Sequence, residues 1–464
     1  MQNNTSFSNF LKDVTRQIEN RNMNSCIVSI CDQIPYSELL TEYSSLINKY
    51  SFSAVWEEAN DFSFIALDKC KYITLDGPNR FQMAKDFHYE TIKNLVNINK
   101  DCNPSSLSKI IYFFSYSDTL HGSMNSIDPP NMEAVLPKIL IINHLNKSWI
   151  RMNAQLNGKN SIREILEEFW FIKNELIKKR DYDEPKNINI PISRLNNGFN
   201  KLKENLIKNI SKGINLIEDG ELKKIVLSTR LHFKIGNKFD INSILKKLKI
   251  NQHNSCIYLW KRNAKDMTFG ASPEKLFSLS NNKLTFEAIA GTTSKHVNSD
   301  TLLNDSKNLK EHQIVVDYLI SCLKDLNIYD FKKSDLRVTN FGSLSHLQTF
   351  IYASVTEVCP FEMLRALHPS PAACGLPKNI ANKWIQTLEK FSRDNYAAPI
   401  GWVDVRGNAD FRVAIRGSRY LNDEIQLTAG AGLVKGSKSL DEVEEIKIKL
   451  ESIAKQFFLS KISQ

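Results

Sequence analysis

Strand-like runs and long helical stretches are interspersed along this chain without strict βαβ alternation, and that pattern favours an α+β fold over a doubly wound sheet. Early runs such as CIVSIC (26–31), SFSAVWE (51–57), DFSFIAL (61–67) and KIIYFFSYS (109–117) alternate with polar turns. Later ones include KKIVLSTRLHFKI, SCIYLWKR, TFGASPEKLFSL, KLTFEAIAGTT, TFIYASVTEV, APIGWVDV, FRVAIRG and EIQLTAGAGLV. Helices are predicted at about 161–180, 197–219, 305–325, 360–367, 376–393 and 439–459 from their 3.6-residue periodicity. The stretch DYDEPKNINIPISRLNNG (181–198) has two prolines and no periodicity, and is the best candidate linker. The early strands are expected to join the later sheets, because neither half closes its own core.

Near the end of the chain, AGAGLVKGSKSLDEVEEIKIKL (429–450) reads as a glycine turn set against a helix with misplaced charges. From a start at Ser439, the residues Glu442, Glu445, Ile446, Lys449, Leu450 and Ile453 share one face, which continues to Phe457. Ionised groups rarely sit on the buried side of a helix unless they are paired or bind a metal. In SKNLKEHQIVVDYLISCL, Glu311 likewise heads an apolar stripe with Val315, Tyr318 and Cys322. Two such helices converging would offer the oxygen ligands that Mg²⁺ prefers. Two plainer readings stand beside this: Glu442 as the third position of a Ser439 capping box, and Glu311 as an exposed stripe-edge residue.

Other segments carry chemistry-bearing groups. Alternation along Lys224–Arg230 puts Lys224, Val226, Ser228 and Arg230 on one face, where a desolvated lysine could serve as a base or simply snorkel to solvent. Glu274, in a Gly/Pro turn, could act as a general acid or be an ordinary turn carboxylate. Gly291 and Thr292 end a strand where a bare backbone and a hydroxyl can approach a ligand, or where a strand simply stops. Arg416, on a strand among apolar neighbours, suits a bidentate grip on a carboxylate or an internal salt bridge equally. Gly430 and Gly432 could present backbone N–H groups to a second carboxylate.

Composition excludes several classes. No apolar run reaches 18 residues, so a membrane span is not expected. The opening MQNNTSFSNFLKDVTRQIENRN lacks an apolar signal core, and a cytoplasmic location is expected. Eight cysteines without a CxxC pair are read as reduced thiols, and nine histidines show no HExxH spacing. The net charge of +10 comes from lysines and arginines spread along the chain, so nucleic acid is not the expected partner. A basic surface would equally draw in a small dianion.

The strings KIVLSTR, FGASPEKLF, EAIAGT, KNLKEHQIVVDYL, HLQT, LHPSPAACGLPK, YAAPIGW, VAIRG and AGAGLVKGS resemble, in order and spacing, the chorismate-utilising enzymes. That family includes isochorismate, anthranilate, aminodeoxychorismate and salicylate synthases. The likeness covers about residues 195–460, and the first 180 residues match only loosely. It implies two large, mostly antiparallel sheets packed together with helices outside. Residues 1–194 would lend strands to these sheets and 195–464 would form the chorismate-binding catalytic region, the whole being one structural domain. Within the family, HPSPAACG (368–375) is similar to the signature of isochorismate synthases, and a lysine at 224 is the residue of water-using members. Ser370 and the Ala373–Cys374 pair depart from the commoner form, as does KGSKSLDEVEE before the last helix.

The resemblance implies a role for each matched residue. Lys224 would activate the water that attacks ring carbon C2, and Glu274 would protonate the departing C4 hydroxyl. Glu311 and Glu445 would hold Mg²⁺, with Glu442 acting through water, and His346 would lie near the metal. Tyr396 and Arg416 would grip the enolpyruvyl carboxylate. Gly430, Gly432 and Lys449 would contact substrate carboxylates, and Gly291 and Thr292 would line the ring pocket. The implied activity is a reversible chorismate-to-isochorismate isomerisation feeding a menaquinone or phylloquinone pathway, by a monomer without an amidotransferase subunit. The rivals are a salicylate synthase and a non-catalytic ligand-binding or nucleic-acid-binding protein.

Overall fold

The computed structural model describes residues 26–58, 62–98, 103–118, 128–156, 161–178, 192–235, 239–294 and 299–456, with five further positions between 7 and 14. Most of the candidate linker (181–191) lies outside the described residues, as do Phe457 and Cys102. The described cysteines are all free thiols.

Among the described residues 20 strands form one hydrogen-bonded network. Its pairs are antiparallel except where Cys26–Ile34 runs parallel to Leu95–Ile98. The network forks at the long strand Met132–His144. One edge of that strand pairs with Phe62–Leu75 along its length; the other takes Lys147–Leu156 at one end and Lys109–Phe114 at the other. From Phe62–Leu75 a first arm runs through Ser53–Glu57, Cys256–Asn263, Asp266–Ser272, Gly417–Leu421 and Glu424–Val434 to Lys224–Lys234. From Lys109–Phe114 a second arm runs through Pro399–Asp404, Ala409–Val413, Lys275–Ser280 and Lys283–Ser294 to Leu344–Ser354. Strands before residue 194 therefore pair directly with strands after it in both arms.

Strand alternation explains the two cores. Tyr258 and Trp260 join Trp56, Phe64, Ile111 and Phe113 in an aromatic cluster that draws on both arms. Their neighbours Ile257, Leu259, Val55 and Ile110 point the other way, into a larger core that also takes the apolar faces of the helices, such as Val315, Leu319, Val443 and Ile446. The fold is α+β, as the interspersed pattern requires.

Several boundaries differ from expectation. The helix expected at 197–219 begins at Ile192, and that expected at 376–393 spans only Lys378–Leu388, with Pro377 as its N-cap. The glycines at 430 and 432 are not in a turn: they lie inside the strand Glu424–Val434, opposite Ser228 and Val226. Pattern reading also passed over the helix Arg80–Lys93 and the hairpin Met132–Leu156, whose turn places Leu145 and Asn146 at φ 48° and 57°.

Candidate active site

A cavity of roughly 750 Å³, counting its open mouth, lies where the far ends of the two arms meet two helices, Ser306–Asp325 and Ser439–Ala454. Lys224, Glu274, Gly291, Thr292, Glu311, His346, Tyr396, Arg416, Gly430, Gly432 and Lys449 all line it. Residues scattered over more than 200 positions of sequence are thus brought to one place by the closing of the two arms. Glu442 and Glu445 stand behind this lining, on the last helix.

Lys224 is the first residue of its strand and is buried, with Nζ 2.9 Å from Glu311 Oε1. This contact depends on Gly432: a Cβ there would lie 2.3 Å from Glu311 Oε1 and 2.9 Å from Lys224 Cε. A glycine in mid-strand weakens the strand, and its use here is the close approach of the ion pair to the backbone. Burial opposes ionisation of Glu311, but the Lys224 and Lys307 ammoniums outweigh it and hold the carboxyl below its ordinary value. The stripe-edge reading of Glu311 therefore fails, because this residue is an interior charge with a partner.

Glu274 sits in the turn between Asp266–Ser272 and Lys275–Ser280, its N–H donating to Ser272 Oγ at 3.2 Å. Burial pushes its carboxyl up to about 7, against the pull of Lys224, Lys449 and Arg416. Near neutral pH it can carry a proton, which an ordinary turn carboxylate cannot.

Gly291 does not end its strand. Pairing with Leu344–Ser354 shifts register between Ala290 and Thr292, so Gly291 is a bulge residue at φ 76°, and the strand continues to Ser294. The bulge turns Thr292 and backbone toward the cavity. Thr292 Oγ1 meets His346 Nδ1 at 3.1 Å, and Arg416 Nη2 meets His346 Nε2 at 3.2 Å. Burial, with the Arg416 and Lys449 charges, keeps the imidazole neutral by holding its pKa well below the usual value. Since a guanidinium only donates, Nε2 is the acceptor and Nδ1 carries the proton donated to Thr292. The Thr292 hydroxyl is left to donate into the cavity.

Arg416 is not on a strand but in a bend between Ala409–Val413 and Gly417–Leu421, at φ 51°. Burial lowers its pKa to about 10, still cationic at neutral pH, with Glu445 the strongest counter-charge. Tyr396 is raised to about 12 by burial and stays a neutral phenol. Lys449 Nζ donates to Gly430 O at 3.0 Å and to Glu445 Oε1 at 2.6 Å. Past Leu427 the strand carrying Gly430 pairs only with Lys224–Lys234, so its other edge is open to such contacts.

No capping box forms at the last helix. Lys438 is its N-cap, Ser439 Oγ bonds Ser211 Oγ at 2.8 Å, and Glu442 pairs with Lys307 Nζ at 2.6 Å. Among the described residues no group of three or more His, Cys, Asp or Glu is gathered tightly enough to mark a metal site. The donor chemistry nevertheless fits a hard cation. Asn308 Oδ1 is buried without a hydrogen bond, Glu442 is a buried carboxylate met by the Lys307 ammonium, and Glu311 and Glu445 carry further carboxylate oxygens near the same helix ends.

Sequence reasoning missed Lys307, Asn308 and Arg393. Lys307 was visible as the residue one helical turn before Glu311. Arg393 carries no local signal, since its work is long-range. It donates to Ala373 O at 2.6 Å and to Val226 O at 2.8 Å, and lies 6.0 Å from the Tyr396 ring centroid. Those three residues line the cavity. Glu389 balances Arg393 and accepts from Ser228 N at 2.7 Å, so one buried pair ties the Lys224 strand to the segment 368–375.

A family model described as chorismate binding enzyme matches residues 10–458. Isochorismate synthase MenF of Bacillus subtilis (strain 168) is 33% identical over 258 residues, 54% of this chain and 54% of its own length. The enzyme of the same name from Haemophilus influenzae is 32% identical over 250 residues, 52% of this chain and 57% of its own length. The matches thus span about half the length of these curated relatives. The solved structure of MenF, the menaquinone-specific isochorismate synthase from Escherichia coli, shares the fold at TM-score 0.75 and 19% identity, over 98% of this chain and all (100%) of that one. Anthranilate synthase component I from Streptococcus pneumoniae TIGR4 does so at TM-score 0.69 and 20% identity, over 85% and 92%. Held together by a match over nearly its whole length and by a cavity of the charge and shape just described, this chain belongs to the chorismate-binding enzyme family.

Proposed function

We propose that this protein is a Mg²⁺-dependent isochorismate synthase. The observation that carries the reading is a carboxyl group with a pKa of about 7, Glu274, lining the same cavity as the Lys224–Glu311 pair. Moving a hydroxyl from C4 to C2 of the chorismate ring needs a base for the incoming water and an acid for the departing oxygen. Lys224, an ammonium paired with Glu311 in the resting protein, must first lose a proton to solvent; it then takes a proton from the incoming water as the oxygen bonds to C2, and Glu311 again accepts a hydrogen bond from the ammonium so formed. The ring double bonds shift, the C4–O bond breaks, and Glu274 gives its proton to the leaving hydroxyl, which departs as water. One water enters and one leaves, so the reaction is close to thermoneutral and reversible.

The substrate is a dianion, and the cavity has two cationic grips for it. Arg416 with the neutral Tyr396 phenol suits the enolpyruvyl carboxylate, while Lys449 and the open strand edge at Gly430 suit the ring carboxylate. Thr292, with its hydroxyl free to donate, faces the ring. Glu311 and Glu445, with Glu442 through water, would hold Mg²⁺, which when bound neutralises and orients the ring carboxylate. No helix among the described residues is long and apolar enough to cross a membrane. We place the enzyme in the cytoplasm as a monomer that feeds a quinone pathway; the Escherichia coli structure is described as menaquinone-specific.

A product assay tests this. With chorismate and Mg²⁺, isochorismate should accumulate without pyruvate, and EDTA should abolish it. Salicylate with pyruvate would instead make the protein a salicylate synthase, and no consumption of chorismate would favour a binding protein. A second test reads the glycine: Gly432→Ala forces the Lys224–Glu311 pair off its position, and turnover should fall by about a hundredfold. An unchanged kcat in that variant would show that the pair is not part of the chemistry.

A further inference from the structure

Three carboxylates at the mouth of the two helices each have a lysine partner: Glu311 with Lys224, Glu445 with Lys449, and Glu442 with Lys307. The third pair is unlike the others. Lys307 stands in the first turn of its helix, which contains no acidic residue, so its ammonium opposes the helix dipole. Its direct contact is with the neighbouring helix, where Glu442 Oε1 lies 2.6 Å from Lys307 Nζ.

The two partners differ in their freedom to move. The Glu442 side chain is 1% exposed, whereas the Lys307 side chain is 24% exposed. Lysine can swing its head into water along a flexible stem, and the carboxylate cannot follow.

We propose that Lys307 holds the place of the divalent cation in the metal-free protein and must leave Glu442 for the metal to enter. This deepens the reading of the preceding subsection, resting on its cation site but not on the reaction assigned to it. With three carboxylates balanced by three ammoniums, a divalent ion arriving alone brings two uncompensated charges, and a dianionic ligand arriving with it cancels them.

The experiment is a titration of the full chain with Mn²⁺ alone, without substrate, reading free Mn²⁺ by its electron paramagnetic resonance signal. Wild type should bind weakly and Lys307→Met at least tenfold more tightly. In EDTA the variant should also melt below wild type and recover with Mn²⁺, because Glu442 then has a directly paired cation only when metal is present. Equal or weaker Mn²⁺ binding by Lys307→Met would overturn the proposal and leave Lys307 a purely structural ion pair. Should the methionine variant fail to fold, Lys307→Gln, which keeps a polar head for Glu442, gives the same comparison. Product analysis on the same samples is read separately, so a failed isochorismate assay with tighter Mn²⁺ binding would sink only the assigned reaction.

Discussion

Replacing Glu274 with glutamine should abolish most turnover while making the protein more stable above neutral pH. The amide keeps the size of the side chain but cannot give up a proton, so kcat should fall by roughly 10²- to 10⁴-fold, the usual worth of a positioned acid. The sign of the stability effect follows from linkage. Burial raises the Glu274 carboxyl from an ordinary 4.5 to about 7, so between those values the folded state binds a proton that the unfolded state has lost. Stability therefore declines as pH rises through that window, reaching a cost of about 3 kcal/mol above pH 7. Glutamine has no charge to bury and escapes that cost, and thermal melting at pH 8 should place Glu274→Gln a few degrees above wild type. The same shift predicts a wild-type kcat that decreases as pH climbs past about 7, where the acid loses its proton. A variant with near-normal turnover, or a flat profile between pH 6 and 8, would remove Glu274 from the mechanism.

The legible parts of the site are those where local pattern reports a buried charge. Glu311 announced itself because its helical stripe is otherwise apolar, and Lys224 because it opens a strand of buried alternation. Glu442 was ambiguous, since a serine three residues before a glutamate is also a helix-start signal, and only the Lys307 contact decides between the two. Errors of placement came from backbone geometry that periodicity does not encode. The bulge at Gly291 and the left-handed bend at Arg416 both interrupt runs that read as plain strand, and both aim a side chain at the cavity. Gly430 and Gly432 looked like a turn because glycine usually marks one, whereas both lie inside a strand, and the missing Cβ of Gly432 makes room for the pair between Lys224 of the next strand and Glu311 of a helix. Arg393 was invisible for a different reason: its partners Ala373 and Val226 are 20 and 167 residues away, and no window of sequence contains them together. The forked arms of the sheet were unreadable in the same sense, because pairing between Ser53–Glu57 and Cys256–Asn263 leaves no trace in either segment.

Lys224→Met should be nearly inactive, and the question is whether that loss reports chemistry or collapse. The Lys224 side chain is 1% exposed and its partner Glu311 is 11% exposed, so removing the ammonium leaves a buried carboxylate without its nearest counter-charge. Such a break typically costs roughly 3–5 kcal/mol, with the nearby Lys307 cation expected to soften it here. Turnover should fall by about 10²- to 10⁴-fold if Lys224 is the base. The double variant Lys224→Met/Glu311→Gln separates the two effects. Deleting both charges removes the uncompensated carboxylate, and paired deletion of buried ions is often close to neutral for stability. Its melting temperature should therefore return most of the way to wild type, while activity stays at the level of the single variant. Recovery of turnover together with stability would mean that the lysine only neutralises Glu311, and the water would then need another base. Full activity in Lys224→Met itself would take the ammonium out of the reaction altogether, and with it the case for water attack at this end of the cavity.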